Sequence, residues 1–273
     1  MKQNRVELEI SSYSKKGHGI GLLKTSNSLQ KVQVEGSVIG DFLSVSLQKK
    51  RRSTSLGTLL NIVTPSKSRT APRCAHSAEC GGCTLQQVDY SSQLAFKEKV
   101  VKESFKDLLA CADVRSIIPC KSPWEYRNKM EFSFSQNKEG LKFLGLNLAN
   151  GRGKVVNLNE CHLVSPWFLI ILKAVKKWWE KSSLAAYHPP SDRGTLRTLT
   201  LREGKRTGKK MVILTVSGNH DYFLKKSDLS DFKQTIIKNL PGENPSVFLK
   251  IHRIAKGRPT EFYEMHLHGP DTL

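Results

Sequence analysis

The stretch CAHSAECGGC, residues 74–83, places Cys74, Cys80 and Cys83 at C-x5-C-x2-C spacing, with Gly81-Gly82 between the last two. A fourth thiol, Cys161, follows in NECHLVSP after 77 intervening residues. Thiols clustered this closely can wrap a soft metal centre, and four thiolates complete either a zinc site or an iron–sulfur cluster. Zinc sites usually combine two C-x2-C pairs. This chain has a single such pair and a solitary fourth thiol. His76 and His162 are nearby candidate ligands, but four cysteines already satisfy a site. Cys111 and Cys120 have no partner motif and read as packing residues.

Upstream of the loop, VELEI, KVQVEG, DFLSVSLQ and LGTLLNIV are short β-rich runs separated by Gly-containing turns. They predict a small OB- or SH3-like barrel over residues 1–64, a shape that binds nucleic acid on one face. KKGHGIG holds Gly17, Gly19 and Gly21, but a strand follows it where a dinucleotide fingerprint would open a helix. Glycines at a hairpin or bulge are the better reading. Lys15 and Lys16 beside them are candidate phosphate contacts. The run Lys49-Lys50-Arg51-Arg52 either meets RNA phosphate or guards a sheet edge. TPSKSRTAPR reads as a linker into the cysteine loop, which is assigned to residues 65–92.

Downstream, Leu94, Val101, Phe105 and Leu108 give one apolar face to a helix over 90–110. In YRNKMEFSF, Tyr126, Asn128, Met130, Phe132 and Phe134 share one strand face. Arg127 and Lys129 share the other and are further RNA-contact candidates. Asn150-Gly151 between two apolar runs signals a hairpin that carries Cys161 back towards the loop. Ser165-Pro166 opens a helix whose buried face is Trp167, Ile171, Ala174, Val175 and Trp178. TLRTLTLRE, MVILTVSG, SVFLKIHR and EFYEMHLHG read as strands. Strands and helices mix without regular alternation, so residues 93–273 are expected to form a mixed α+β central domain.

The 273 residues include 44 Lys and Arg against 24 Asp and Glu, a net charge of +20. Residues 1–73 hold 13 basic and 4 acidic side chains, residues 74–162 hold 12 and 10, and residues 163–273 hold 19 and 10. The charge therefore sits on both flanks of a nearly neutral cysteine region, a footprint expected for a polyanion partner. The longest apolar stretch, Trp167–Leu172, is a third of the roughly 18 residues that span a bilayer. The N-terminus has no apolar signal core, so a reducing cytoplasm and metal or redox use of the six cysteines are expected. No membrane partner is expected. No heptad seam is seen, and a monomer is expected.

The cysteine loop with its continuation, CAHSAECGGCTLQQVDYSSQLAFKE, resembles the cluster loop of the RNA (uracil-5-)-methyltransferase family. YRNKMEFSF, NLNECHLVSP and TLTLREGKRTGKKMVILTVSG resemble the family's next strand, its fourth-cysteine segment and its central hairpin. The N-terminal unit is similar to a TRAM domain, an RNA-binding barrel. Together the features look most like the 23S rRNA branch. The resemblance implies a 4Fe–4S cluster on Cys74, Cys80, Cys83 and Cys161, rather than zinc. It also implies S-adenosylmethionine as methyl donor to uridine C5, with 23S rRNA as partner. In the family a cysteine thiolate adds to C6 of a flipped-out uridine and a base then removes the C5 proton. No D-P-P-R motif and no strand–Gly-rich loop–helix is found before the chain stops at HGPDTL. The expectation is therefore that a Rossmann-like methyltransferase domain is absent, that no catalytic or S-adenosylmethionine-binding residue lies in this chain, and that the chain alone is inactive. The alternative is a non-catalytic, metal-stapled RNA-binding module.

Overall fold

The computed structural model describes residues 5–25, 28–48, 54–149, 151, 153–254 and 259–273. The basic run 49–52 lies outside the described residues. The chain divides into two compact units, Met1–Ala78 with Cys83–Lys121, and Glu79–Gly82 with Ser122–Leu273.

In the first unit, β1 (Arg5–Tyr13), β2 (Gly19–Lys24), β3 (Leu29–Val34), β4 (Phe42–Leu47) and β5 (Thr54–Thr64) close a barrel in the order β1-β2-β3-β5-β4. β1 closes onto β4, and β3 and β5 run parallel while the other pairs are antiparallel. The small barrel expected from the β-rich runs is thus present, with five strands. Alternation places Leu8, Ile10, Val32, Val34, Leu43 and Val45 inside, all buried. Each such side chain contributes about 1.5–3 kcal/mol relative to exposure.

The glycines of KKGHGIG are explained by the barrel interior. A Cβ on Gly19 would lie 2.0 Å from Ser37 Oγ and 2.7 Å from Ile10 Cγ2. One on Gly21 would lie 2.2 Å from Leu8 Cδ1, and β1 carries a bulge between Ile10 and Ser12 opposite them. The close approach needed to bend a small barrel shut leaves room for hydrogen alone.

The linker is fastened to the barrel. Asp41, fully buried, accepts hydrogen bonds from the backbone N–H of Val38 (2.6 Å) and Ser66 (2.9 Å) and from Arg69 Nε (3.0 Å). Burial works to raise this carboxyl, but the Arg69, Ser66 and Val38 hydrogen bonds and the Arg69 charge outweigh it and hold the group below its ordinary 3.8. Arg69 and Val88 then form a bridge, and Asp89 N–H donates to Ser68 O at 2.9 Å. Asp89 caps α1 (Tyr90–Ser104) by accepting from Ser92 N–H at 2.9 Å. That helix stops short of the expected residue 110, and none of its residues is buried. Val101, Phe105 and Leu108 are exposed, so the apolar stripe covers no core among the described residues.

The second unit is a seven-stranded sheet. Its strands are β6 (Lys129–Gln136), β7 (Lys142–Asn147), β8 (Val155–Asn157), β9 (Leu196–Glu203), β10 (Lys210–Ser217), β11 (Ser246–Arg253) and β12 (Glu261–His268), in the order β12-β11-β10-β9-β6-β7-β8. Only β10 and β11 are parallel; α3 (Lys226–Lys238) connects them. A β–α–β crossover is therefore present, which the irregular alternation in the sequence had concealed. Met130, Phe132, Phe134, Leu199, Leu201, Val212 and Leu214 share one face by register and are buried.

Onto that face packs α2 (Trp167–Lys181): Trp179 meets Phe134 at 5.0 Å between ring centres, and Trp178 meets Phe232 of α3 at 5.3 Å. Of the expected buried residues, Trp167, Ile171, Val175 and Trp178 are buried and Ala174 is half-buried, with Phe168, Leu172 and Trp179 beside them. The cap differs from expectation. Pro166 holds the N-cap position, and the Ser165 hydroxyl instead donates to Glu203 Oε2 at 2.7 Å. At the other end Lys142 Nζ donates to the carbonyls of Trp179 (2.7 Å) and Ser182 (2.9 Å), a cation set against the negative end of the helix. Among the described residues, no helix is long and apolar enough to cross a membrane.

Candidate nucleic-acid interface and cysteine loop

Lys15 and Lys16 sit at the tip of the β1–β2 hairpin, both exposed. The turn is closed by Gly17 N–H to Ser14 O (2.9 Å) and Ser14 N–H to His18 O (2.8 Å). Gly17 has φ +81°, and a Cβ there would meet Leu85 and Thr84 at 3.3 Å. Backbone and space both call for glycine, so the two lysines are presented from a rigid tip packed on the residues just after Cys83.

Arg127 and Lys129 do not share a strand face. β6 begins at Lys129, and Arg127 precedes it with its N–H bonded to Leu163 O at 2.9 Å. Arg127 is half-buried and Lys129 is exposed opposite Arg202. Tyr126, expected to share a strand face with Met130 and Phe132, is exposed whereas those two are buried. The cause is Glu125, whose N–H bonds His162 O at 2.8 Å and whose φ of 53° turns the chain. The segment before β6 therefore pairs with 162–163 through Glu125 and Arg127, and meets the sheet at Asn128, whose carbonyl accepts from Glu203 N–H at 2.8 Å.

Cys74, Cys80, Cys83 and Cys161 are all half-buried. Cys74 N–H donates to Gln86 Oε1 at 3.2 Å within the first unit. In the second unit, Cys80 forms a bridge with Leu148; Gly81 N–H donates to Asn147 O (2.9 Å) and Ala149 N–H to Glu79 O (2.8 Å). A Cβ on Gly81 would lie 3.1 Å from Asn147 O. The Gly-Gly step thus lets residues 79–82 lie against the end of β7. Cys161 follows β8 in the same unit, and β7 and β8 pair as the hairpin signal required. Among the described residues, no group of three or more His, Cys, Asp or Glu is arranged to hold a metal ion. Cys111 and Cys120 are exposed, which corrects their reading as packing residues. They lie beyond the end of α1.

One group of side chains escaped the sequence reading: Arg197, Lys250, His252 and Phe262, on the face of the second unit's sheet opposite α2. The available signal was period-two alternation, which puts Lys250 with His252 and Phe262 with Glu264 on common faces.

No protein-family model matches the chain. It is 47% identical over 247 residues to an uncharacterized RNA methyltransferase of Protochlamydia amoebophila, an alignment covering 89% of this chain and 56% of that protein. It is 36% identical over 202 residues to one from Chlamydia caviae, covering 73% of this chain and 50% of that protein. In structure it is similar to the tRNA (uracil-54, C5)-methyltransferase of Pyrococcus abyssi, solved with S-adenosyl-L-homocysteine, at a TM-score of 0.64 and 21% identity, covering 94% of this chain and 55% of that one.

That likeness corrects the expected fold class. The sequence motifs lead to the expectation that a Rossmann-like methyltransferase domain is absent, yet 94% of the chain follows 55% of a solved methyltransferase. The chain is thus a relative of bacterial proteins named RNA methyltransferases, and it spans about half of their length, 56% and 50% in the two cases above.

Proposed function

We propose that this chain serves RNA recognition in an S-adenosylmethionine-dependent RNA (uracil-5-)-methyltransferase that forms 5-methyluridine in 23S rRNA. The observation that carries this reading is 47% identity, across 89% of the chain, to a protein named RNA methyltransferase. The net charge of +20 and the exposed Lys15 and Lys16 on a closed barrel support an RNA partner. The structural neighbour was solved with S-adenosyl-L-homocysteine, the product left when S-adenosylmethionine gives up its methyl group. The test is nucleoside mass spectrometry of fractionated RNA from cells with and without the gene. Loss of one 5-methyluridine from 23S rRNA is expected. Loss confined to tRNA would overturn the substrate, and no loss would overturn the uridine chemistry.

The same reading assigns a 4Fe–4S cluster to Cys74, Cys80, Cys83 and Cys161. In donor chemistry four thiolates suit such a cluster. The described residues, however, show no gathered metal-ligating group. Iron and sulfide analysis of protein prepared without oxygen decides the matter. Iron and sulfide in equal amounts, lost in Cys83→Ala, are expected; a colourless, folded, metal-free protein would overturn the assignment.

A further inference from the structure

The sheet of the second unit has one face covered by α2; on the other, Thr215 and Ser217 are buried while Phe262 and Glu264 are exposed. Register places residues of that second face in rungs: Thr198, Thr215, Lys250 and Glu264 form one, and Ser217, His252 and Phe262 form the next. Phe262 is 52% exposed, and its ring lies 4.5 Å from that of His252, tilted by 36°. Lys250 Nζ lies 4.5 Å from the same ring and 3.1 Å from Glu264 Oε1.

Arg197 joins this group through a bulge. Val216 pairs with Leu196 and Thr215 with Thr198, so Arg197 is the extra residue between them. Bulges re-aim a side chain, and they are over-represented beside functional sites. The Arg197 guanidinium stacks 3.9 Å from the centre of the Tyr187 ring, while Tyr187 Oη donates to Asp192 Oδ1 at 2.9 Å. Arg197 Nη1 is buried and has no hydrogen-bond partner among the described residues. A buried, unpaired guanidinium N–H is costly unless an acceptor arrives from outside. On this face Glu264 already engages Lys250. Arg197 is consequently the group with a donor to spare.

We infer that this sheet face binds single-stranded RNA, stacking a base on the Phe262–His252 ring pair and taking a backbone phosphate on Arg197. The inference rests on the RNA-binding reading above and deepens it by naming a surface. Aromatic rings on a sheet, flanked by cations, are the arrangement by which open sheets hold unpaired bases. Burial, with the charges of Arg197 and Lys250, holds His252 below its ordinary 6.5, so a neutral ring is available for stacking at neutral pH. The 19 basic against 10 acidic side chains of residues 163–273 favour a polyanion over a protein segment as occupant.

The test titrates a fluorescent oligouridine with the full chain over a salt series. Phe262→Ala is expected to weaken binding about tenfold with the salt slope unchanged, since stacking is not counterion release. Arg197→Gln is expected to lower the slope of log K against log salt by about 0.7, one single-strand phosphate. Photo-crosslinking of a 4-thiouridine oligonucleotide to the wild-type chain, mapped by mass spectrometry, covers the case of a variant that fails to fold. Crosslinks on residues 248–266 are expected. If the wild-type chain binds RNA but both variants match it and the crosslinks lie elsewhere, the face belongs to another occupant and the inference fails alone. If the chain binds no RNA at any salt, the RNA-binding reading itself fails.

Discussion

Replacing Arg69 by methionine would remove the one cation from a carboxylate sealed inside the barrel unit. Asp41 is fully buried and Arg69 is 17% exposed at its side chain, so the pair has little solvent to fall back on. Breaking a buried pair by deleting one partner costs about 3–5 kcal/mol. Asp41 would keep its hydrogen bonds from Val38 and Ser66 N–H, which places the expected cost at the lower end, about 3 kcal/mol. That is a factor of about a hundred in the opening equilibrium.

The assay is amide hydrogen exchange read by mass spectrometry. The four tryptophans, Trp124, Trp167, Trp178 and Trp179, all belong to the second unit, so their fluorescence does not report the barrel. Exchange in β1 and β4 should speed up about a hundredfold, while that of β9 and β10 stays unchanged. The pH dependence has a definite sign. The Asp41 carboxyl is depressed in the folded chain, so its contribution is complete above the unfolded value and is lost as pH falls through the folded one. In Arg69→Met burial loses its main opponent and the folded-state carboxyl rises, so the stability that Asp41 contributes above its unfolded value shrinks and its share of the acid dependence weakens. Asp41→Asn combined with Arg69→Met should recover part of the loss, because no charge is then left buried. Unchanged exchange in β1 and β4 for the single variant would refute this reasoning.

Further outcomes follow from other positions. Gly17→Ala, at φ +81° and against Leu85 and Thr84, should destabilise the first unit by about 1–2 kcal/mol, measured by urea denaturation followed by circular dichroism. Asp89→Ala should cost about 1 kcal/mol in α1, seen as faster exchange over its first turn. Because hydrogen bonds from Ser91 and Ser92 hold the Asp89 carboxyl at about 2, the cap persists in moderate acid and is lost only as pH falls towards that value. Neutralising Lys15 and Lys16 together should lower the salt slope of single-stranded RNA binding by about 1.4, two phosphates' worth. An unchanged slope would remove the hairpin tip from the interface.

Local patterns were legible in the sequence and non-local pairings were not. The barrel strands, the buried face of α2 and the β7–β8 hairpin each follow from residues within one element or turn. The Asp41–Arg69 pair joins positions 28 apart, and nothing local marks either residue as a buried ion. Arg127 alternated correctly with its neighbours, yet a tertiary bond to Leu163 took it out of the strand. The apolar stripe of α1 has helical spacing but no core beneath it, so periodicity overstated its burial. The parallel β10–β11 pair depends on a crossover through α3, which period counting does not register. Arg197 was invisible because alternation sets it with the buried Leu199 and Leu201, and the bulge that re-aims it leaves no local mark. The thiols were found by spacing alone, which says which residues are soft donors and not how the folded chain gathers them.

The most direct test of RNA recognition is binding of this chain to a 23S rRNA transcript, measured by filter retention across a salt series. The expected result is binding that weakens linearly in log K against log salt, carried by exposed cations such as Lys15 and Lys16. No retention even at the lowest salt, from a chain shown by circular dichroism to be folded, would contradict it.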